Sequence, residues 1–135
     1  MTPALKLYMQ LVKDTIKSPE VIRFVRHLLR HISGPICLFW DNNTPHKSKL
    51  TRETLAGFAP RLSVYRLPPY APELNPDEGV WGHLKCHALR GFCPPDLNVL
   101  VNTIRRETKR MRQRPALIRS FFDDCPLFLP SRQSN

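Results

Sequence analysis

The chain has 135 residues, enough for one domain with a modest core. Its 41% apolar and 24% charged content is ordinary for a soluble globular protein, and its longest apolar run, "ICLFW" at 36–40, is far too short to span a membrane. With 21 Lys and Arg against 11 Asp and Glu, the formal charge of +10 suits a polyanionic partner, most often nucleic acid.

The charge is uneven. Residues 1–40 hold six basic side chains against two acids, 41–80 hold five of each, and 81–135 hold ten against four. A neutral centre with an acid cluster thus lies between basic flanks. The N-terminal residues lack the layout of a signal peptide, so a cytoplasmic location is expected. The four cysteines form no CxxC pair and read as reduced structural thiols. His83, Cys86 and His87 lack a further ligand at zinc-like spacing.

In chain order, "LKLYMQLV" (5–12) alternates loosely and predicts a strand. The stretch 18–32 predicts a helix, with Ser18 as cap, Pro19 in the first turn and Val21, Val25, Leu28 and Ile32 on one buried stripe. The run 36–40, bounded by turn residues, predicts a central strand buried on both faces. A second helix is expected over 47–58 and a strand over 62–67. Helices follow near 76–89, 96–112 and 115–122. Strands alternating with helices imply a partly parallel sheet and an α/β fold.

Asp41 directly follows the apolar strand in "FWDNNTPH", at the strand's carboxyl end where α/β proteins gather functional groups. The alternative is a turn-capping Asp. Further on, four of the 14 prolines fall within "LPPYAPELNPDEGVW" (67–81), just ahead of Asp77 and Glu78. Asn75 with Glu78 resembles a capping box, which explains both acids without catalysis. It leaves unexplained the stiff run of Pro68, Pro69 and Pro72. Paired carboxylates held rigidly are what Mg²⁺ chemistry requires. Trp81 and Leu84 are expected to anchor this helix in the core, Trp81 being core more readily than a base-stacking residue.

"FWDNNTPH" followed by "RLPPYAPELNPDEGVWGHLK" resembles the catalytic domain of IS630/Tc1/mariner transposases, most closely the IS630 branch, over residues 5 to 125. That resemblance implies an RNase H-like fold and Mg²⁺- or Mn²⁺-dependent cleavage and transfer of DNA strands during transposition. It places the family's second catalytic Asp on Asp41, in a "DN…H" motif with Asn42 and His46. It places the third acid on Glu78, after "LNP" and before Trp81. Asp41 and Glu78 are then catalytic and metal-binding, while Asn42, His46, Asn75 and Trp81 are supporting or structural. Arg105, Arg106, Lys109, Arg110 and Arg112 become candidate DNA-phosphate contacts.

One departure stands out. The family's first Asp lies on an upstream strand, and neither Asp14 nor Glu20 suits that place. The expectation is a truncated RNase H-like fold over 1–125 with a C-terminal helical layer and a flexible tail over 126–135. The metal is expected to be held weakly. Expected partners are DNA and an upstream-encoded transposase half or a second copy, with no membrane. The resemblance implies a bacterial, nucleoid-associated setting. The rival expectation is a noncatalytic basic remnant that binds nucleic acid or regulates a full-length transposase.

Overall fold

The computed structural model describes residues 1–128; of the tail expected over 126–135, Pro126–Phe128 forms a 3₁₀ turn, and the rest lies outside the described residues. Two compact units make up the chain. One joins Met1–Leu11 to the chain from Pro72 onward, and the other is Val12–Ala71.

The Val12–Ala71 unit begins with α1 (Ser18–His31), whose Val21, Ile22, Val25, Leu28 and Leu29 are buried. Its cap sits one residue earlier than expected: the Lys17 amide donates to the Glu20 carboxylate at 3.1 Å, and the Ser18 hydroxyl pairs with that of Ser48 at 2.6 Å. Strand β1 (Ile36–Trp40) leads into a one-turn helix α2 (Thr44–Lys47) and then α3 (Lys49–Ala56). Ser48 caps α3 by accepting from the Thr51 amide at 3.1 Å. Strand β2 (Leu62–Arg66) runs parallel to β1, with Ile36 opposite Leu62 and Trp40 opposite Arg66. Two parallel strands require a crossover, and α2 and α3 supply it.

Val25, Leu29, Leu55 and Leu62 form the core of this unit, with Ile36, Leu38, Trp40 and Phe58 packed against them. The expectation that β1 is buried on both faces fails. Its side chains alternate, and Phe39 on the outer face is 51% exposed, stacked on Tyr65 at 5.2 Å. The run is apolar throughout, but within this unit α1 and α3 pack against one face.

The other unit is helical. It holds α4 (Asp77–His83), which continues as a wider π-type turn at Leu84–Ala88, then α5 (Leu97–Arg112) and α6 (Pro115–Asp123). The Asp96 carboxylate caps α5 through the amides of Asn98 and Val99. Val80, Leu84, Met111, Ile118, Phe121 and Phe122 build its core. Leu7 joins them, and here the expected strand over 5–12 is overturned: the segment forms no ladder. Its Leu7 side chain enters the helical core while the Leu7 carbonyl accepts from Arg112 Nε at 2.9 Å. The mixed α/β composition holds, with a two-stranded sheet among the described residues.

Candidate active site

Asp41 is the first residue past β1, and three donors fix its carboxylate. Oδ1 accepts from His46 Nδ1 at 2.7 Å and from the Asn43 amide at 3.1 Å, while Oδ2 accepts from Asn43 Nδ2 at 2.6 Å. His46 is itself oriented. It lies in the α2 turn, and its ring stacks on Trp40 at 4.4 Å, the planes 4° apart. The imidazole therefore aims Nδ1 at the carboxylate without freedom to swing. Asn42 secures the strand end: its Nδ2 donates to the Leu67 carbonyl at 2.8 Å, and the Leu67 amide donates to the Trp40 carbonyl at 2.9 Å. The carboxylate remains 44% exposed, so its outer lone pairs face solvent. A turn-capping role accounts for the Asn43 bonds. It does not account for a stacked histidine.

The second acidic pair separates into unlike halves. Asn75 caps α4, its Oδ1 accepting from the Asp77 amide at 3.2 Å. The return half of a capping box does not form, because the Asn75 amide donates to the Pro72 carbonyl at 2.9 Å instead. Asp77 is occupied by the Met1 amino group at 3.0 Å. Glu78 is exposed, and its carboxylate takes no hydrogen bond or ion pair among the described residues. The helix start is satisfied without it.

Trp81 does not anchor the helix. It is 44% exposed, whereas Val80 at 2% and Leu84 at 1% carry the burial. The spacing explains this: Val80 and Leu84 stand four apart on one face, and Trp81 is turned about 100° away. Gly79 lies close to α6, where a Cβ would sit 2.6 Å from Phe121 Cδ1.

On α5 the five basic candidates differ in freedom. Glu107 takes Arg110 at 2.7 Å and Arg106 at 3.3 Å, and Arg112 is committed to Leu7. Arg105 and Lys109 are exposed with no partner among the described residues. On the neighbouring turn, burial first, then His87 and Arg114, hold the His83 imidazole below the usual histidine range, against a smaller opposing pull from Glu107. The four cysteines are free thiols.

Asp41 and Glu78 offer hard carboxylate oxygens, the donor type Mg²⁺ and Mn²⁺ take. Among the described residues, no group of three or more His, Cys, Asp or Glu side chains gathers as an ion site. Each carboxylate fits such an ion in kind and by itself does not fill its coordination.

Sequence reasoning missed the Trp40–His46 stack and the clamp at Leu67. The adjacency of Trp40 to Asp41 was the available signal.

A family model described as DDE superfamily endonuclease matches residues 1–101. The chain belongs to this family. No curated protein and no solved structure matches the chain. A DDE superfamily endonuclease domain carries a transposase-like nuclease function, with DNA as its implied substrate and divalent metals typical of the family. The matched span takes in β1, Asp41, the proline stretch and Glu78. It ends inside α5, ahead of Arg105, Arg106, Lys109, Arg110 and Arg112.

Proposed function

We propose that this DDE superfamily endonuclease acts in DNA transposition as a member of the IS630/Tc1/mariner group, on an RNase H-like fold, with Asp41 and Glu78 as its metal-binding carboxylates. The observation that carries the reading is Asp41: a half-exposed carboxylate at the end of β1, oriented by a histidine that a tryptophan holds in place. A bound divalent ion supplies Lewis-acid polarisation of the scissile phosphate and lowers the pKa of the attacking water or 3′-hydroxyl. The protein's part is orientation. His46 keeps the Asp41 carboxylate aimed, Asn42 and Leu67 keep the strand end from fraying, and Asn75 caps α4 so that Glu78 is left to bind. The matched family span, with its implied DNA substrate, supports the same reading.

Mn²⁺ titration followed by electron paramagnetic resonance tests the site whether or not a strand is cut. Binding weakened by Asp41→Ala and by Glu78→Gln, with Asp77→Asn retaining it, is the expected pattern. Undiminished Mn²⁺ binding in Asp41→Ala would overturn the assignment. Nicking of supercoiled plasmid that persists in both Asp41→Ala and Glu78→Gln would overturn it equally.

A further inference from the structure

Beside the sheet, α1 and α3 enclose an open groove of about 830 Å³. Three arginines of α1, Arg23, Arg26 and Arg30, line it, and Arg61 closes one side. Its apolar lining includes Leu50, which is 54% exposed, and the half-buried Phe58. Nothing in the Asp41 or Glu78 chemistry uses this surface.

The four cations are not equivalent. Arg61 donates to the carbonyls of Leu29, Ile32 and Gly34, so it closes the end of α1 and is committed to the fold. Arg23 lies 3.9 Å from Glu20, a loose exposed pair. Arg26 and Arg30 are exposed, and their side chains have no hydrogen bond or ion pair among the described residues. A place near the helix C-terminus favours Arg30 through the helix dipole, but Arg26 sits mid-helix and gains nothing there. The row has a useful period. From Arg23 to Arg30 is seven residues, about 10.5 Å of helix axis, and the three side chains fall on one face of the helix.

We propose that this groove binds single-stranded DNA, with the sugar–phosphate backbone along Arg23, Arg26 and Arg30 and the bases against Leu50 and Phe58. Charge selects a polyanion. The apolar lining selects among polyanions, because a duplex keeps its bases stacked and offers such a surface only phosphates. A positive rail beside an aromatic and aliphatic platform is how single strands are held without sequence readout. The site would receive a strand freed at a DNA end. The inference rests on the DNA-processing reading above.

The test is fluorescence anisotropy of a labelled oligo(dT) of about 12 nucleotides, long enough for one such groove, across a salt series with divalent ions chelated. The Arg26→Gln, Arg30→Gln double variant removes two contacts at exposed positions. The slope of log K against log salt should flatten by about 1.4, at about 0.7 per contact, a loss of about 25-fold at about 0.1 M salt. Leu50→Ser should weaken single-strand binding while leaving binding of the matching duplex nearly unchanged. An unchanged slope and affinity in the double variant would overturn the groove while leaving the nuclease reading intact. So would equal affinity for duplex, or displacement of oligo(dT) by polyglutamate of equal charge, which would mark an acidic protein segment as the occupant. A wild-type chain with no affinity for DNA would overturn both.

Discussion

Gly79 and Gly82 lie on the same short helix, α4, and the same substitution should move stability in opposite directions. A Cβ at Gly82 meets nothing within 4 Å, whereas one at Gly79 would meet Phe121 Cδ1, Cγ and Cβ at 2.6, 2.8 and 3.0 Å. Carbon atoms pack at about 3.5–4.0 Å, so α4 and α6 must part by about 1 Å to admit the methyl group. Rotating the ring relieves Cδ1 alone, because Cγ lies on the rotation axis and Phe121 Cβ is fixed to the α6 backbone. The ring is also 9% exposed and held in the core. Overpacking of this kind costs about 1–3 kcal/mol. Replacing Gly by Ala within a helix returns up to about 1 kcal/mol. The expected result is that Gly82→Ala stabilises by up to about 1 kcal/mol, and that Gly79→Ala destabilises by up to about 2 kcal/mol once the two terms are combined. Urea denaturation of both variants reads this directly, and in a double-mutant cycle the loss from Gly79→Ala should shrink when Phe121 is already replaced by Ala. Because Glu78 is the preceding residue, a shift of about 1 Å should also lower any metal-dependent cleavage, on the order of 10²-fold. A Gly79→Ala variant that matches Gly82→Ala in stability would refute the close-approach argument.

Three further outcomes are expected. Ile118 is fully buried, and Ile118→Ala should cost about 2–5 kcal/mol in denaturant unfolding. Asn42→Ala removes the donor to the Leu67 carbonyl and should cost about 0.5–1.5 kcal/mol, with cleavage falling more steeply than stability because the end of β1 loosens beside Asp41. His83 should titrate below the ordinary histidine value of 6.5 by NMR, moving toward it in His87→Gln. The unfolded chain takes up that proton first, so this residue's contribution to stability is lost as pH falls through about 6.5, by a small amount because the ring is only partly buried.

The helices were legible because each carries its own punctuation. Asp96 ahead of α5 and Pro115 opening α6 are local signals, and those elements begin where those residues stand, whereas the helix expected over 47–58 begins only after Ser48, behind a separate turn at Thr44–Lys47. The segment 5–12 misled for the opposite reason. Its alternation fits a strand, but an unpaired strand has no partner for its amides, and one residue, Leu7, gains more by entering a helical core. The run 36–40 misled in a different way. Apolar residues at Cys37 and Phe39 suggest cover on both faces, yet cover is a tertiary property, and α1 and α3 lie on one face only. Asp41 could be placed at a strand end from the sequence. What orients it could not, because the Trp40–His46 stack depends on α2 turning back by one helical turn.

The dense prolines of 67–76 are best understood from their two ends. At the first, Leu67 is 6% exposed, its amide bonded to Trp40 and its carbonyl to Asn42, which secures the strand end that presents Asp41. At the second, Pro72–Leu74 forms a 3₁₀ turn whose Pro72 carbonyl takes the Asn75 amide. That bond removes the donor a capping-box Glu would require, so the carboxylate of Glu78 is not drawn back onto its own helix. Between the ends, Tyr70 is fully exposed at φ 57° and contributes no burial. The stretch is therefore stiff where it meets each acid-bearing element. A Pro72→Ala substitution should leave α4 folded but loosen the 3₁₀ turn, freeing the Asn75 amide for Glu78. Mn²⁺ affinity should then fall, although neither carboxylate has changed. A Pro72→Ala chain with wild-type Mn²⁺ affinity would show that the turn does not govern the availability of Glu78.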